Sequence, residues 1–359
     1  MQLQDQNILF FTRTMALGGT ENIILQLCDV FKPLVNKIVV CSSGGVNETA
    51  LLEKNIKHYT VPDPEHKSAG NIRQICKTLK RIIKDEEITV IHTHHRMAAF
   101  YCQLIGMPKG IIYINTSHTA FYDKKFLSHI AFHNFNMIAC GVGVKNSLVR
   151  GLGFEENRVK VICNGIKIDN SDNQELIPEV QVARENGAVV FCAIGRLSKE
   201  KGVEYLIKAV PLVKNTNILC VIVGSGPDEN ELKKSAEELG LSDKVVFLGY
   251  RKDVLNILFQ VDFLVQPSLQ EGLPLTPIEA FSQGKPVIGT NIDGTSEIVS
   301  DGENGYLVPP ANIDALAESI EHMCGIDRHP LEECALQTYK NKYSYDVFSE
   351  EYVKFYKEI

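Results

Sequence analysis

Short runs of apolar, mostly β-branched residues alternate with longer amphipathic segments along the whole sequence of 359 residues. Strands separated by helical segments of about 10 to 15 residues are typical of βαβ units, whose strands pair in parallel sheets. In the first half we predict strands at 8–11, 37–41, 58–61, 88–92, 111–115, 137–140 and 159–163. In the second half we predict strands at 189–194, 218–223, 245–248, 263–266, 286–289 and 306–308. The pattern indicates an α/β protein with two doubly wound sheets in series.

The chain length agrees with two domains, because a domain usually contains about 100 to 200 residues. Regular pattern disappears and polarity rises between Lys167 and Gln174, before a new strand opens near Gly187. We therefore predict an N-terminal domain at 1–170 and a second domain at 171–342. Residues 343–359 have the pattern of an amphipathic helix with nothing after it to pack on, so we expect this helix to dock on an existing domain.

Composition excludes several classes of protein. With 44% hydrophobic and 23% charged residues, the chain is neither disordered nor fibrous. It contains no run of about 18 apolar residues that could span a membrane, and its start lacks the pattern of a signal peptide. The ten cysteines occur singly, without a Cys-x-x-Cys pair, and are interpreted as reduced core residues. These features predict a cytoplasmic protein.

Charge is distributed unevenly between the two halves. Residues 1–170 contain 20 basic and 14 acidic side chains, a balance of +6, whereas the remainder contains 17 and 30, a balance of −13. The basic excess includes a predicted helix at 71–84, with Arg73, Lys77, Lys80, Arg81 and Lys84 around one side and Lys124 and Lys125 further along the chain. Such a face could contact an anionic membrane. Alternatively, it is the solvated side of a helix that packs its apolar side on the first sheet.

Three glycine-rich turns follow predicted strands. The first contains Gly18 and Gly19 and leads into a helix whose free N–H groups could bind an anion, or it is simply a tight turn. The second runs from Gly195 to Gly202 and carries Arg196 and Lys201, two cations suited to a diphosphate, although a solvated charged loop explains them as well. The third begins at Gly224. Together these turns favour a phosphate-containing ligand.

The stretch from Glu271 to Ala280 predicts a well-defined helix start. Thr276 suits the N-cap, Pro277 the first helical position and Glu279 the third. Glu279 could then close a capping box with Thr276 and have no further role. Glu271 precedes the helix by several residues and has no such capping role, so it is expected to face the cleft.

Histidines follow two successive predicted strands of the first domain. His92, His94 and His95 end one strand and His118 ends the next, at the edge where open α/β sheets bind ligands. A metal site is conceivable but disfavoured, because no third ligand and no Asp-x-Asp pair is apparent. For His92 and His95, a hydrogen-bonded position in the core or the binding site is the ordinary interpretation.

The order and spacing of these motifs resemble those of the family 4 retaining glycosyltransferases of the GT-B fold. The matching segments are Gly18-Gly19-Thr20-Glu21, His118-Thr119, Asn164-Gly165, Gly195 to Gly202, Gly224-Ser225-Gly226-Pro227 and Glu271-x7-Glu279. The resemblance covers nearly the whole chain and is more specific in the second domain. It implies two Rossmann-like domains facing across a cleft, with the C-terminal helix docking back.

The resemblance further implies a nucleotide-sugar donor, with UDP as the commonest base, and a glycan or lipid-linked saccharide as acceptor in polysaccharide biosynthesis. Donor-binding residues would be Gly18, Gly19, Arg196, Lys201, Gly224, Leu275, Thr276 and Glu279. Arg196 and Lys201 would hold the diphosphate and Glu279 the ribose hydroxyls. Glu271 would contact the donor sugar, and His118 would line the reaction centre. A hexose or N-acetylhexosamine would be transferred.

The resemblance implies no metal, no cofactor and no nucleic-acid partner. Two alternatives remain open within it. A nucleotide-sugar 2-epimerase has the same fold and a similar length but needs acid and base carboxylates that we cannot place in the sequence. A non-catalytic partner subunit would bind nucleotide without turnover.

Overall fold

The computed structural model describes residues 2–121, 124–168 and 175–359. The chain forms two compact units, one made of Met1–Asn164 with Asp346–Ile359 and the other of Gly165–Tyr345. The predicted boundary at 170 lies outside the described residues. Within the described part of the chain, no helix has the length and apolarity needed to cross a bilayer.

The first unit is built on a seven-stranded sheet in the order β3-β2-β1-β4-β5-β6-β7, and every neighbouring pair is parallel. The strands are β1 (Asn7–Phe11), β2 (Lys37–Ser42), β3 (Lys57–Thr60), β4 (Val90–Thr93), β5 (Ile112–Ser117), β6 (Asn136–Ala139) and β7 (Val159–Val161). Its helices include α1 (Gly19–Phe31), α2 (Glu48–Glu53), α3 (Ala69–Asp85), α4 (Arg96–Leu104), α5 (Lys125–Phe132) and α6 (Val142–Asn146). The direction of winding reverses between β1 and β4, where such sheets bind ligands.

The second unit is built on a six-stranded parallel sheet in the order β10-β9-β8-β11-β12-β13. The strands are β8 (Val189–Ile194), β9 (Ile218–Val223), β10 (Val245–Gly249), β11 (Phe263–Gln266), β12 (Val287–Thr290) and β13 (Gly305–Val308). The helices are α7 (Pro178–Glu185), α8 (Val203–Ala209), α9 (Glu229–Glu238), α10 (Val254–Gln260), α11 (Leu275–Ser282), α12 (Thr295–Ile298), α13 (Ile313–Gly325) and α14 (His329–Thr338). Here the winding reverses between β8 and β11.

The central strands of both sheets are buried on both faces, as is usual for parallel sheets. All five residues of β1 and all six of β9 are buried, and the apolar side of α1 is inaccessible at Ile23, Ile24, Leu27, Cys28 and Phe31. All ten cysteines are free thiols, and six of them are buried. Every predicted strand is present, with its ends within two residues of the predicted ones. The predicted α/β class with two doubly wound sheets is confirmed.

The C-terminal helix α15 (Tyr345–Glu358) packs on the first unit. Phe348, Tyr352, Phe355 and Tyr356 are buried, and the Tyr356 ring lies 4.2 Å from that of Phe31 in α1. The Tyr352 hydroxyl contacts the Thr116 hydroxyl at the end of β5, at 3.2 Å. The helix therefore reaches the part of the sheet where the histidine-bearing strands end.

Candidate functional site

An ion pair lies at the winding reversal of the second sheet. The loop after β8 carries Lys201 and the loop after β11 carries Glu271, and the Lys201 Nζ donates to Glu271 Oε1 at 2.7 Å. The pair is sheltered, because the Glu271 side chain is only 8% exposed and that of Lys201 27%. The strand order thus brings two predicted donor-binding residues together, although they are 70 positions apart in sequence.

Glu271 is held by more than this lysine. Gln266 Nε2 and the Ser268 hydroxyl also donate to its Oε1, at 2.8 and 2.7 Å. Glu271 therefore has structural partners that the sequence did not predict. In the described residues no partner is recorded for Oε2, so one oxygen fixes the side chain while the other can accept from a ligand hydroxyl. Sequence reasoning missed Gln266 and Ser268; their positions at the end of β11 were the available signal.

Arg196 differs from Lys201. Its side chain is exposed, and no hydrogen bond or ion pair is recorded for it among the described residues. The Arg196 and Lys201 charges both help to lower the pKa of Glu200, although hydrogen bonds from Ser198 and the backbone contribute more. Of the two predicted diphosphate ligands on this loop, Lys201 is thus already paired and Arg196 remains available to an anion.

The glycines of these loops are required by close packing. A Cβ on Gly224, which has φ of +136°, would lie 1.8 Å from the Gly195 carbonyl oxygen, and one on Gly226 would lie 2.1 Å from that of Leu197. The loops are also joined by a backbone hydrogen bond from Leu197 N–H to the Ser225 carbonyl, at 3.0 Å. Gly224 therefore has a packing role independent of any ligand. Its predicted contact with the donor stays a prediction.

Helix α11 begins earlier than predicted. Its N-cap is Pro274, with φ of −67° and ψ of 136°, and no side chain caps it. Thr276 is therefore the second helical residue and Glu279 the fifth, so the alternative of a capping box between them is wrong. A proline within the first turn costs no hydrogen bond, because the N–H groups there have no partner within the helix. The backbone N–H groups of Leu275 and Thr276 therefore remain available to a ligand.

Glu279 is a half-buried carboxyl group without a recorded hydrogen-bond partner among the described side chains. Burial raises its pKa to about 7. With the capping role excluded, no interaction within helix α11 explains why a carboxyl group is partly buried at this position. A ligand hydroxyl donating to it would offset the cost of removing it from water.

Neither of the two described cavities contains these donor-site residues. A cavity of about 220 Å³ in the second unit is lined by ten residues, including Ser198, Lys199, Gly202, Lys208 and Asp228. It lies beside the loop after β8, between α8 and α9, without Arg196, Lys201 or Glu279 among its lining residues.

In the first unit, the predicted anion site at Gly18 and Gly19 is exposed at the start of α1. The Glu21 carboxylate lies over it, since a Cβ on Gly18 would meet Glu21 Oε2 at 2.5 Å, and its other oxygen accepts from the Thr14 hydroxyl at 2.6 Å. A flexible acidic side chain thus occupies the place where an anion would bind. An incoming diphosphate would have to displace it.

The histidines meet at a second cavity. Its volume is about 240 Å³, and its lining includes Thr20 from α1, His94 and His95 from the end of β4, and His118 from the end of β5. His94 Nδ1 and His118 Nε2 are 3.0 Å apart, a hydrogen bond that the sequence did not predict. Burial lowers the pKa of His118 to about 4. His118 therefore lines this cavity as a neutral ring.

His92 and His95, the other two candidate histidines, have structural roles. His92 is buried, with its nitrogens 2.8 Å from the hydroxyls of Tyr356 and Thr116. His95 is the N-cap of α4, where its Nδ1 accepts from the Met97 N–H at 3.2 Å. Among the described residues, no group of three metal-ligating side chains is found. Whether turnover requires a metal is a separate matter, and metal independence stays a prediction.

Comparison with known families gives two matches that together span most of the chain. Residues 17–170 match the family described as Glycosyltransferase Family 4, and residues 174–333 match Glycosyl transferases group 1. The first match contains the glycine turn before α1 and the four candidate histidines, His92, His94, His95 and His118. The second contains every predicted donor-binding residue of the second unit.

Similarity to individual proteins agrees with these two family matches. UDP-Gal:alpha-D-GlcNAc-diphosphoundecaprenol alpha-1,3-galactosyltransferase of Escherichia coli is 26% identical over 333 residues, covering 85% of this chain and 84% of that protein. A glycosyltransferase structure from Rickettsia africae superposes with a TM-score of 0.84 at 23% identity, covering 98% of both chains. HepE of Anabaena, solved in complex with UDP, superposes with a TM-score of 0.82 at 20% identity, covering 99% of this chain and all of the other.

Proposed function

Since the chain is a glycosyltransferase of family 4 with the GT-B fold, we propose that it transfers a hexose or N-acetylhexosamine from a nucleoside-diphosphate sugar to a glycan or lipid-linked saccharide. The configuration at the anomeric carbon is retained. The observation that carries the donor assignment is the Lys201–Glu271 pair at the winding reversal of the second sheet, with the unpaired Arg196 on the same loop.

Each residue of this group has a chemical role in the proposal. Arg196 and Lys201 neutralise the diphosphate, Arg196 by bidentate hydrogen bonds and Lys201 as a point charge. The free N–H groups of Leu275 and Thr276 add backbone donors. Glu271 accepts from a hydroxyl of the donor sugar through Oε2, and Glu279 accepts from the ribose hydroxyls. The Gly18-Gly19 turn contributes its helix N-terminus once Glu21 moves away.

The nucleobase is proposed to be uracil. Two similarities support it: the Escherichia coli relative is named for UDP-Gal, and the Anabaena structure was solved with UDP. The same relative is named for a lipid-diphosphate-linked acceptor, which supports a saccharide of that class and a place in the biosynthesis of cell-surface polysaccharide.

Bond breaking at the anomeric carbon places negative charge on the departing diphosphate and oxocarbenium character on the sugar. The fixed cations and helix N-termini stabilise that charge without a divalent ion. Retention follows if the acceptor attacks from the face that the diphosphate leaves. In that route a diphosphate oxygen takes the proton of the acceptor hydroxyl, and the protein need not supply a base.

The experiment is a ligand-binding and turnover comparison. UDP, GDP and ADP are tested by thermal shift, and the corresponding sugars are then tested for transfer. We expect UDP to stabilise the protein, since a ligand at 100 times its dissociation constant contributes about 2.7 kcal/mol. Arg196→Ala should lower turnover by on the order of 10²-fold, the usual cost of removing a preorganised charge. Lys199→Ala, on the same loop, is the control and should retain turnover.

Three outcomes would contradict the proposal. Equal turnover in Arg196→Ala and Lys199→Ala removes the diphosphate assignment. Conversion of the nucleotide-sugar to an isomer without any acceptor indicates the epimerase. Nucleotide binding with no turnover for any donor and acceptor pair indicates a non-catalytic subunit.

A further inference from the structure

The histidine rings of the first unit form a stack that continues from the core to the cavity. The centroids of His92 and His94 are 4.3 Å apart and those of His94 and His118 are 5.3 Å apart. His94 is only 5% exposed. Its Nδ1 bonds to His118 Nε2, while its Nε2 is fully buried and has no partner among the described residues.

Only one proton lies between the two bonded nitrogens, and its position sets both tautomers. If His118 Nε2 donates, the neutral His94 ring must carry its own proton on Nε2, which is then a buried N–H without an acceptor. If His94 Nδ1 donates, Nε2 is merely a buried lone pair. Orphaned buried N–H groups are rarer than under-satisfied acceptors. The second arrangement is therefore favoured.

We infer that His94 is a positioning residue that donates from Nδ1 to His118 Nε2 and so fixes His118 as the tautomer with its proton on Nδ1, a donor available to a ligand in the cavity. The ligand chemistry is an oxygen of the sugar or of its diphosphate, and this identification rests on the proposed function. No partner of His118 Nδ1 is recorded in the described residues, and Nδ1 is not one of their buried unpartnered atoms.

Two features keep the stack neutral. The groups acting on its charge are the rings themselves, with no carboxylate among the described side chains that shift them. Burial lowers the pKa of His92 and His94 as well as that of His118. His92 meets two hydroxyl groups, which bond to either of its tautomers. As a neutral ring with its proton on Nδ1, His118 is a hydrogen-bond donor to a ligand in the cavity.

The first test reads the tautomer directly and needs no substrate. Long-range ¹H–¹⁵N spectra of the full chain labelled with ¹⁵N-histidine, assigned with His118→Asn, should show His118 protonated on Nδ1 and unprotonated on Nε2 at neutral pH. In His94→Leu, which leaves Nε2 without its partner, both tautomers of His118 should appear. A wild-type His118 protonated on Nε2, or doubly protonated, would overturn the inference whatever the enzyme transfers.

The second test uses amide side chains as tautomer mimics. Asn places an N–H near the position of Nδ1, and Gln places one near that of Nε2. Turnover by His118→Asn should therefore exceed that by His118→Gln, by about tenfold for one hydrogen bond to the substrate. His94→Asn, which retains a donor toward His118, should preserve more kcat than His94→Leu at comparable thermal stability.

The two tests separate the inference from the function on which it rests. The expected spectrum together with no transfer would refute the proposed function and leave the tautomer assignment standing. Transfer with His118→Gln equal to or better than His118→Asn would refute the assigned donor, while the glycosyltransferase proposal would survive.

Discussion

At the residue scale, Glu279 is where the structure changes the interpretation most. The capping box that was the alternative to a ligand contact is absent, and burial raises the pKa of Glu279 to about 7 against an ordinary value of 4.5. As pH rises from about 4.5 to 7, the carboxyl group ionises in the unfolded chain before it does so in the folded one. Its contribution therefore lowers the free energy of unfolding across that window and becomes constant above it.

The same ionisation predicts how nucleotide binding depends on pH. A carboxylate accepts from ribose hydroxyls better than a carboxylic acid does, so nucleotide affinity should rise as pH increases from about 6 to 8. Isothermal titration with UDP measures this. Glu279→Gln removes the ionisation but retains an acceptor oxygen, so its affinity should lack this rise.

The nucleotide phosphate also titrates near neutral pH, and the variant serves as the control for that effect. Only the difference between the two proteins is assigned to Glu279. If both proteins show the same pH dependence and affinity, Glu279 does not contact the ribose.

Sequence reasoning at this scale identified charged residues better than their partners. Lys201 and Glu271 could each be selected from their loops, but the hydrogen bond between them depends on β8 and β11 being neighbours, which no local pattern encodes. The bond from His94 to His118 likewise depends on the adjacency of β4 and β5. Local capping preferences placed the helix start at Thr276, whereas the structure starts the helix after Pro274, so only the capping alternative for Glu279 is removed and its ligand contact stays a prediction.

At the scale of elements, strands were predictable because each one is a continuous apolar run bounded by polar turns. The first residues of helices were less predictable than the strands, because several residues within one turn satisfy the same capping preferences. Packing between loops was not predictable from local sequence. The Gly224-Ser225-Gly226 turn suggested phosphate binding, whereas the structure shows that it packs directly on the backbone of the loop after β8.

This packing predicts a stability effect at Gly226. Gly226→Ala would place a methyl group 2.1 Å from the Leu197 carbonyl oxygen, so the loops must separate. We expect a loss of about 1–3 kcal/mol, typical of overpacking, measured as a lower midpoint of urea unfolding.

Gly325, at the end of α13, is the matched control within the same unit. A Cβ there meets nothing within 4 Å, so Gly325→Ala should leave the midpoint unchanged or raise it slightly. Equal midpoints for Gly226→Ala and wild type would show that the loop accommodates a side chain.

At the scale of the whole molecule, the uneven charge has a structural counterpart in α3. Ile75, Leu79 and Ile82 are completely buried, so the helix packs its apolar side on the first unit, as the ordinary interpretation held. Its cations are nevertheless exposed, at Arg73, Lys77, Lys80, Arg81 and Lys84. The exposed Phe126 of α5, at 78%, adds an apolar side chain to the same unit. We propose that this unit contacts anionic membrane while it acts on a lipid-linked acceptor.

Vesicle co-sedimentation tests this proposal. The protein should bind vesicles with anionic lipid at low salt and dissociate at about 0.5 M salt, where screening acts over a few Å. Replacing Lys77, Lys80 and Arg81 together by Ser should weaken binding by roughly 10²-fold, at about 1 kcal/mol per charge. The control removes the same charge from the second unit, at Lys208, Lys234 and Lys252. Equal losses in both variants, or no binding at low salt, would refute the contact.

The placement of α15 has a consequence for biosynthesis. Its residues complete the first unit, yet on the ribosome they follow the whole of Gly165–Tyr345. The nascent chain must therefore hold an unfinished first unit, with the Phe31 and His92 sites for Tyr356 uncovered, while the second unit is translated. The second unit is continuous in sequence and can fold as it emerges. The unit whose synthesis begins first is thus completed last. The hydrogen bond between His92 and Tyr356, which supports the histidine stack, can form only after residue 356 has been translated.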